Sequence, residues 1–437
     1  MVSASFLPRH QLRASANGHV PRIDSLCIIQ DDVQDWQVES ATMASIYNNA
    51  FLVIGANCAG SSDAGFMAAK GDAVPNYFIA EVENDDGSLS KVYARDSMPH
   101  HDVVGPESYY TKQGPLSNRG WALQEQLLSR RMVHFENIEL FWECRTLMGC
   151  ECLELQNANE YKVTMEQEIG SGSFKSWHTL VNQYHLRKLT FDSDFLPALS
   201  GVITYLQQFG AGDCVAGIWK KNIIDELLWE AGKNWMLYHR AAPYRAPTWS
   251  WASIHEARKD RDYNGSRITF YVDTYGPSES MCHVAHVSAT PAGEDANGAV
   301  ANGLLTIEGK VAQMTETKPT GMSVPHGSRN MELSNWLTDE SIAGMMECSV
   351  DLTVEDFRKK QLYGILLGYW PPKPPQYSYA RWAGLMLRPC PTRRDHYDRV
   401  GVWNLVDFVP SWWPQTPTAV KPAEFFANLQ HSRVSII

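Results

Sequence analysis

Trp121 and Glu125 stand four residues apart in Leu116–Ser129, a segment whose apolar spacing predicts a helix capped by Ser117 or Asn118. Side chains at i and i+4 share a helix face, so an indole and a carboxylate lie side by side there. On residue types alone, Glu125 reads as a surface carboxylate paired with Arg119, Arg130 or Arg131, with Trp121 as a core anchor. Asp24 lies within Arg22–Ile29, a short apolar run that reads as a buried strand. An acid in such a run needs a partner, and Arg119 is the expected cation. Ligands of open α/β sheets bind near strand ends, which makes Asp24 a candidate ligand contact, and Trp121 and Arg119 are the further candidates. Asp31 and Asp32 open the next helix and read as its caps, with a bound ribose or cation as the alternative.

Other chemistries find less support. Cys27 sits inside the expected strand and reads as buried and inert, with only His100, His101 and His134 as histidines in this region. Ser25 lacks the Gly-x-Ser-x-Gly elbow. Gly55, Gly60 and Gly65 match neither dinucleotide nor P-loop spacing. Cys144, Cys150 and Cys152 form the tightest thiol cluster, but no His or Cys follows at finger-like spacing, so no metal is expected. Trp249 and Trp251 alternate along a predicted strand, either as a sugar-stacking platform or, in the reading preferred here, as core. Trp219 and Trp229 also read as core.

The bulk of the chain bounds these readings. Its 437 residues call for two or three domains, and 44% hydrophobic with 20% charged residues is a globular composition. A net charge of −11 disfavours a nucleic-acid partner. Nine cysteines scattered over this length point to reduced thiols and a cytoplasmic address. The longest apolar stretches, such as Phe51–Ala56 and Ile365–Trp370, are too short to span a membrane.

Positioning elements follow from periodicity. Val33, Trp36, Met43, Tyr47 and Ala50 recur at helical spacing after Asp31-Asp32, and Phe51–Ala56 reads as a second strand, so residues 22–56 form a strand–helix–strand unit of a parallel sheet. Tyr77–Val82 and Lys91–Ala94 read as strands, as do Met132–Phe135 and Ile138–Trp142 around Glu136-Asn137. Phe174–Tyr184, Leu196–Gln208 and Ile223–Glu230 read as helices. Strands are expected at Thr248–Ala252, Ile268–Thr274, Met281–Ser288, Leu304–Val311, Gly364–Tyr369, Trp382–Leu387 and Val400–Val406. The expected organisation is an irregular leader over 1–20, an α/β domain over 21–152, a helical connector over 153–240 and a mainly β region over 241–437.

Two blocks carry a family resemblance. Arg22-Ile-Asp-Ser-Leu-Cys-Ile-Ile-Gln-Asp31, continued by Asp35-Trp36, Glu39, Met43 and Tyr47, resembles the signature block of HET (heterokaryon incompatibility) domains. So does Leu116-Ser-Asn-Arg-Gly-Trp-Ala-Leu-Gln-Glu125, followed by Leu127–Arg131 and Phe141-Trp-Glu-Cys144. Leu196-Pro-Ala-Leu-Ser-Gly201, Ala216-Gly-Ile-Trp219 and Ala246-Pro-Thr-Trp-Ser-Trp-Ala-Ser253 resemble blocks downstream of the domain. The resemblance implies a three-layer fold similar to TIR domains, and a function in self/non-self recognition, growth arrest or cell death in a filamentous fungus through self-association or a protein partner. Some TIR domains cleave the nicotinamide–ribose bond of NAD with a Glu four residues after a Trp. The resemblance thus implies NAD as a substrate and Glu125 as the residue that stabilises charge developing at the anomeric carbon. The family's opening strand, with its Tyr…Leu-Ser-Tyr-x-Trp-Gly pattern, and the helix after it are not found in Met1–Val20, and Arg22 stands where the family has Trp. A domain truncated by one strand and one helix, with an exposed sheet edge, is therefore expected.

Overall fold

The computed structural model describes residues 2–4, 21–29, 31–61, 63–66, 77–94, 114–136, 139–153, 156–157, 161–231, 238–256, 268–270, 272–273, 276, 278–316, 336–337, 345–350, 361–375, 378–407 and 421–437. They fall into two compact units. The first comprises Met1–Thr190 with Ala198–Phe209, and the second Phe191–Pro197 with Gly210–Ile437.

The first unit is built on a mixed sheet. Its strands are β1 (Val2–Ala4), β2 (Pro21–Arg22), β3 (Leu52–Gly55), β6 (Arg131–Phe135), β7 (Leu140–Cys144), β8 (Met148–Cys150) and β9 (Gln156–Asn157), in the order β2-β1-β3-β6-β7-β8-β9. The first four are mutually parallel and the last three add antiparallel. β4 (Tyr77–Glu83) and β5 (Leu89–Ala94) form a separate hairpin with a turn at Asn84–Gly87. A three-residue strand, β1, lies ahead of β2 in the chain, where the sequence reading has an irregular leader. Val2–Ala4 lie between β2 and β3, pairing with both.

The apolar run at Arg22–Ile29 departs from its reading as a strand. Of this run and the residue before it, Pro21–Arg22 pairs as a strand, and Asp24–Cys27 forms a helical turn, α1. The Ile23 carbonyl accepts from the amides of Leu26 and Cys27 at 2.9 and 3.0 Å, which closes the turn. Leu26 and Ile29 are about half exposed, so the run does not have the two-sided burial of an inner parallel strand. Cys27 is exposed rather than buried.

Helix α2 (Val33–Asn49) starts where the capping carboxylates predict. Asp32 accepts from the amides of Gln34 and Asp35 at 2.8 and 3.1 Å. Helix α3 (Gly120–Leu128) begins later than expected and has no side-chain cap. Leu116–Asn118 is a separate 3-10 turn. The Asn118 carbonyl and Gly120 amide bond the backbone of Lys188 at 2.6 and 2.8 Å, which holds Arg119 extended between the two pieces. Helices α4 (Tyr161–Ser171), α5 (Lys175–His185) and most of α6 (Pro197–Gln207) belong to this unit rather than to a free-standing connector. Trp177, Leu180, Val181, Leu199, Val202, Ile203 and Leu206 are fully buried with Leu123 of α3. Gly201 explains how closely α6 approaches. A Cβ there would stand 2.6 Å from Ala44 of α2 and 2.7 Å from the Gln124 side chain, which instead accepts the Gly201 amide at 2.8 Å.

The second unit is mainly β. In its large sheet, β21 (Leu362–Trp370), β22 (Arg381–Pro389), β23 (His396–Val406), β24 (His431–Ile436) and β18 (Val300–Glu316) pair in succession, and β18 pairs back to β21, closing a ring. The length of β18 allows this: Leu305–Lys310 pair with β24, and Val311–Met314 continue onto β21. Met314, Leu362, Leu366, Trp382, Met386 and Trp403 pack with Phe426 of the helix Pro422–Asn428. Five of the expected strands are present here: four within β18, β21, β22 and β23, and one as His283–Pro291.

Thr248–Ala252 is not a strand. It forms a turn into a 3-10 segment, Trp251–Ser253, closed by the Ser250 hydroxyl, which accepts the Ala252 amide at 3.0 Å. The aromatic platform fails for this reason. Trp249 and Trp251 are both 0% exposed, and the Trp251 indole donates to the Gly217 carbonyl at 2.9 Å. Trp219 and Trp229 are core, as read.

Candidate functional site

Asp24, at the first turn after β2, is held by Arg22 Nε at 3.3 Å and by the Tyr47 hydroxyl of α2, which donates at 2.7 Å. Arg22 also reaches Glu39 at 2.5 Å. The expected Asp24–Arg119 pair is therefore replaced. Arg22, only two residues away, satisfies the carboxylate, and Arg119 is exposed at the start of α3.

Trp121 and Glu125 share one face of α3 as the spacing predicts. Trp121 is half-buried, with the edge of the Trp36 ring of α2 against it at 6.2 Å between centroids. Glu125 is not the surface carboxylate of the simpler reading. It is 4% exposed, between the fully buried Leu123 and Gln124 and the buried Leu127.

A third set of residues was not singled out as a site in the sequence. Asn57 follows β3, and His134 and Glu136 lie at the end of β6, so all three stand at the carboxyl edge of two adjacent parallel strands. Strand order reverses beside them, between β1 and β3, where ligands of open α/β sheets bind. The Asn57 amide nitrogen contacts His134 Nδ1 at 3.2 Å and donates to Glu136 Oε1. His134 Nε2 stands 3.0 Å from Glu143 Oε2 of β7. His134 thus bridges the Asn57 amide and the Glu143 carboxylate through its two ring nitrogens.

Glu143 is completely buried, and its other oxygen meets Lys162 Nζ at 2.8 Å. Gln126 of α3 adds an amide at 3.1 Å. Lys162, itself 2% exposed, also donates to the carbonyls of Gln126 and Ser129 at 2.9 and 2.8 Å. Burial pushes the Glu143 carboxyl up, and the charge of Lys162 with the His134 contact more than offsets it, so Glu143 stays ionised well below the ordinary carboxylate range. Glu136 behaves oppositely. Burial raises its carboxyl, with Asn57 and His134 only partly opposing. Its Oε2 is buried without a hydrogen-bond partner among the described residues. Such an oxygen can bind a hydroxyl or pass a proton to a group entering at the strand ends.

The strand pattern holds a signal for this cluster. Burial alternates along β6 and β7, so that Met132 and His134, and Phe141 and Glu143, face inward. A carboxylate at an inward position demands a buried cation. Of the thiols, Cys150 and Cys152 come together with Glu139, while Cys144 lies apart beside Thr146.

The family model described as "Heterokaryon incompatibility protein (HET)" matches residues 12–125. The matched span takes in α1, α2, β3 and the first turns of α3 through Glu125, and ends before β6. No curated protein and no solved structure gives a significant match to the chain. No helix among the described residues is long and apolar enough to cross a membrane. Residues 12–125, within the first of the two units, thus carry a HET domain, a family associated with heterokaryon incompatibility.

Proposed function

We propose that the protein is an intracellular signalling module of self/non-self recognition in a filamentous fungus, acting in the cytoplasm to trigger growth arrest or cell death through self-association or a protein partner. The family match carries this reading, because it falls within one structural unit and includes both blocks that hold Asp24 and Glu125. The test is induced expression of the full chain in a filamentous fungus. Radial extension of the colony should stop within hours of induction. Undiminished extension, with folded protein accumulating, would overturn the reading.

A second reading has its own support. Glu125 is withdrawn from water beside Trp121, and the four parallel strands run in the order β2-β1-β3-β6, the arrangement of flavodoxin-like sheets that bind ligands at the β1/β3 reversal. In this reading the unit is TIR-like and cleaves the nicotinamide–ribose bond of NAD. Glu125 is the catalytic carboxylate, and Trp121, Asp24 and Arg119 are the candidate ligand contacts. In a site of low dielectric, a fixed carboxylate stabilises the oxocarbenium-like charge as nicotinamide departs.

A further inference from the structure

The β6–β7 turn and the end of β8 bring three ligating side chains together. One carboxylate oxygen of Glu139 and the sulfurs of Cys150 and Cys152 all lie within 4.8 Å of one another. The two sulfurs are 3.0 Å apart and not joined in a disulfide. That separation is well above the ~2.04 Å of a disulfide. Glu139 is 1% exposed and Cys150 is buried, so this is no solvated acidic patch.

The local backbone is arranged around the cluster. The Leu153 amide bonds the Cys150 carbonyl at 3.1 Å, closing a turn over Glu151 and Cys152 that points both sulfurs to one side. Leu153 itself adopts φ of +66°, a left-handed conformation that costs a residue with a Cβ about 1 kcal/mol or more. The Cys152 amide donates to Glu139 Oε2 at 3.1 Å, which orients the carboxylate toward the thiols.

Two soft sulfurs and one hard oxygen on β structure suit zinc, which takes thiolate at about 2.3 Å and carboxylate at about 2.0–2.2 Å. Donors in such a tetrahedral shell stand roughly 3.5–3.8 Å apart. The sulfurs need to part by less than about 1 Å to reach it. We propose that Glu139, Cys150 and Cys152 bind one zinc-class divalent cation, both cysteines as thiolates, with solvent in the fourth position. Binding releases the two thiol protons to water. The ion ties the β6–β7 turn to β8. Because the Glu136 amide bonds the Glu139 carbonyl at 3.2 Å, it also steadies the segment that carries Glu136.

The test uses the full chain purified under reducing conditions. Elemental analysis should find one zinc per chain, and zinc X-ray absorption should show two sulfurs with oxygen in the remaining positions. Replacement by Co(II) should give a thiolate-to-metal charge-transfer band. That band should vanish in Cys150→Ser and in Cys152→Ser and persist in Cys144→Ser, while Glu139→Gln should weaken Co(II) affinity about tenfold or more. A folded wild type that takes up neither metal overturns the proposal. So does a zinc shell without sulfur, a band that survives both serine variants, or recovery of the reduced preparation as a Cys150–Cys152 disulfide.

Discussion

Lys162→Met should lower the unfolding free energy by about 3–5 kcal/mol, because it leaves the Glu143 charge buried without its cation. Both groups are withdrawn from water, at 2% and 0% exposure, so solvent screening does not soften the loss. The carbonyls of Gln126 and Ser129 lose a donor at the same time. Adding Glu143→Gln to Lys162→Met should recover part of the loss, since a neutral amide keeps partners at His134 and Gln126 without the uncompensated charge. Denaturant titration of the three variants measures this. A cost below about 1 kcal/mol for Lys162→Met would show that the pair does not hold the unit together.

The pH dependence has a definite sign. The Glu143 carboxyl is depressed in the folded state, against the pull of burial, by Lys162 and His134. Its contribution is therefore present above the unfolded carboxylate pKa and is lost as pH falls toward the folded value. In Lys162→Met, burial dominates and the carboxyl rises, so protonation relieves the buried charge. The stability gap between wild type and variant should narrow as pH falls through the carboxylate range. A gap that widens on acidification would contradict the assignment of Lys162 as the partner.

Glu125→Gln should reduce nicotinamide release from NAD by about 10²–10³-fold if the unit cleaves the glycosidic bond, the loss expected when one preorganised charge is removed from a transition state. Glutamine is nearly isosteric, so the buried position keeps its packing and the effect reads chemistry rather than folding. Trp121→Ala should chiefly raise KM, because a ring beside the carboxylate binds rather than reacts. Equal growth arrest by wild type and Glu125→Gln, with no nicotinamide released by either, would leave the signalling reading standing and remove the enzymatic one.

The sequence was most legible where local chemistry decides. Asp32 caps α2 because its carboxylate meets two amides within three residues, and Val33–Asn49 then follows its apolar stripe. The strands of the second unit are recognisable because runs such as Leu362–Trp370 are apolar throughout and too short for helices. Arg22–Ile29 misleads for the same reason: a short apolar run fits a strand or a helical turn equally, and the Tyr47 hydroxyl that meets Asp24 comes from 23 residues away. The Glu143 cluster joins residues of α3, β6, β7 and α4 with Asn57 after β3, contacts no spacing rule can place. Only the inward position of Glu143 on its strand hinted at it. The Glu139, Cys150 and Cys152 cluster is not legible in the spacing of Cys and His, because its oxygen comes from Glu139 across the β6–β7 turn.

We propose that the folded first unit, which holds the HET domain, is what triggers growth arrest or cell death. Vital-dye uptake in fused hyphal compartments measures it most directly, with one partner strain expressing either the wild-type chain or Lys162→Met. Dye should enter compartments that receive the wild-type chain and be excluded from those that receive the destabilised variant. Exclusion in both, at matched amounts of folded wild-type protein, would contradict the account.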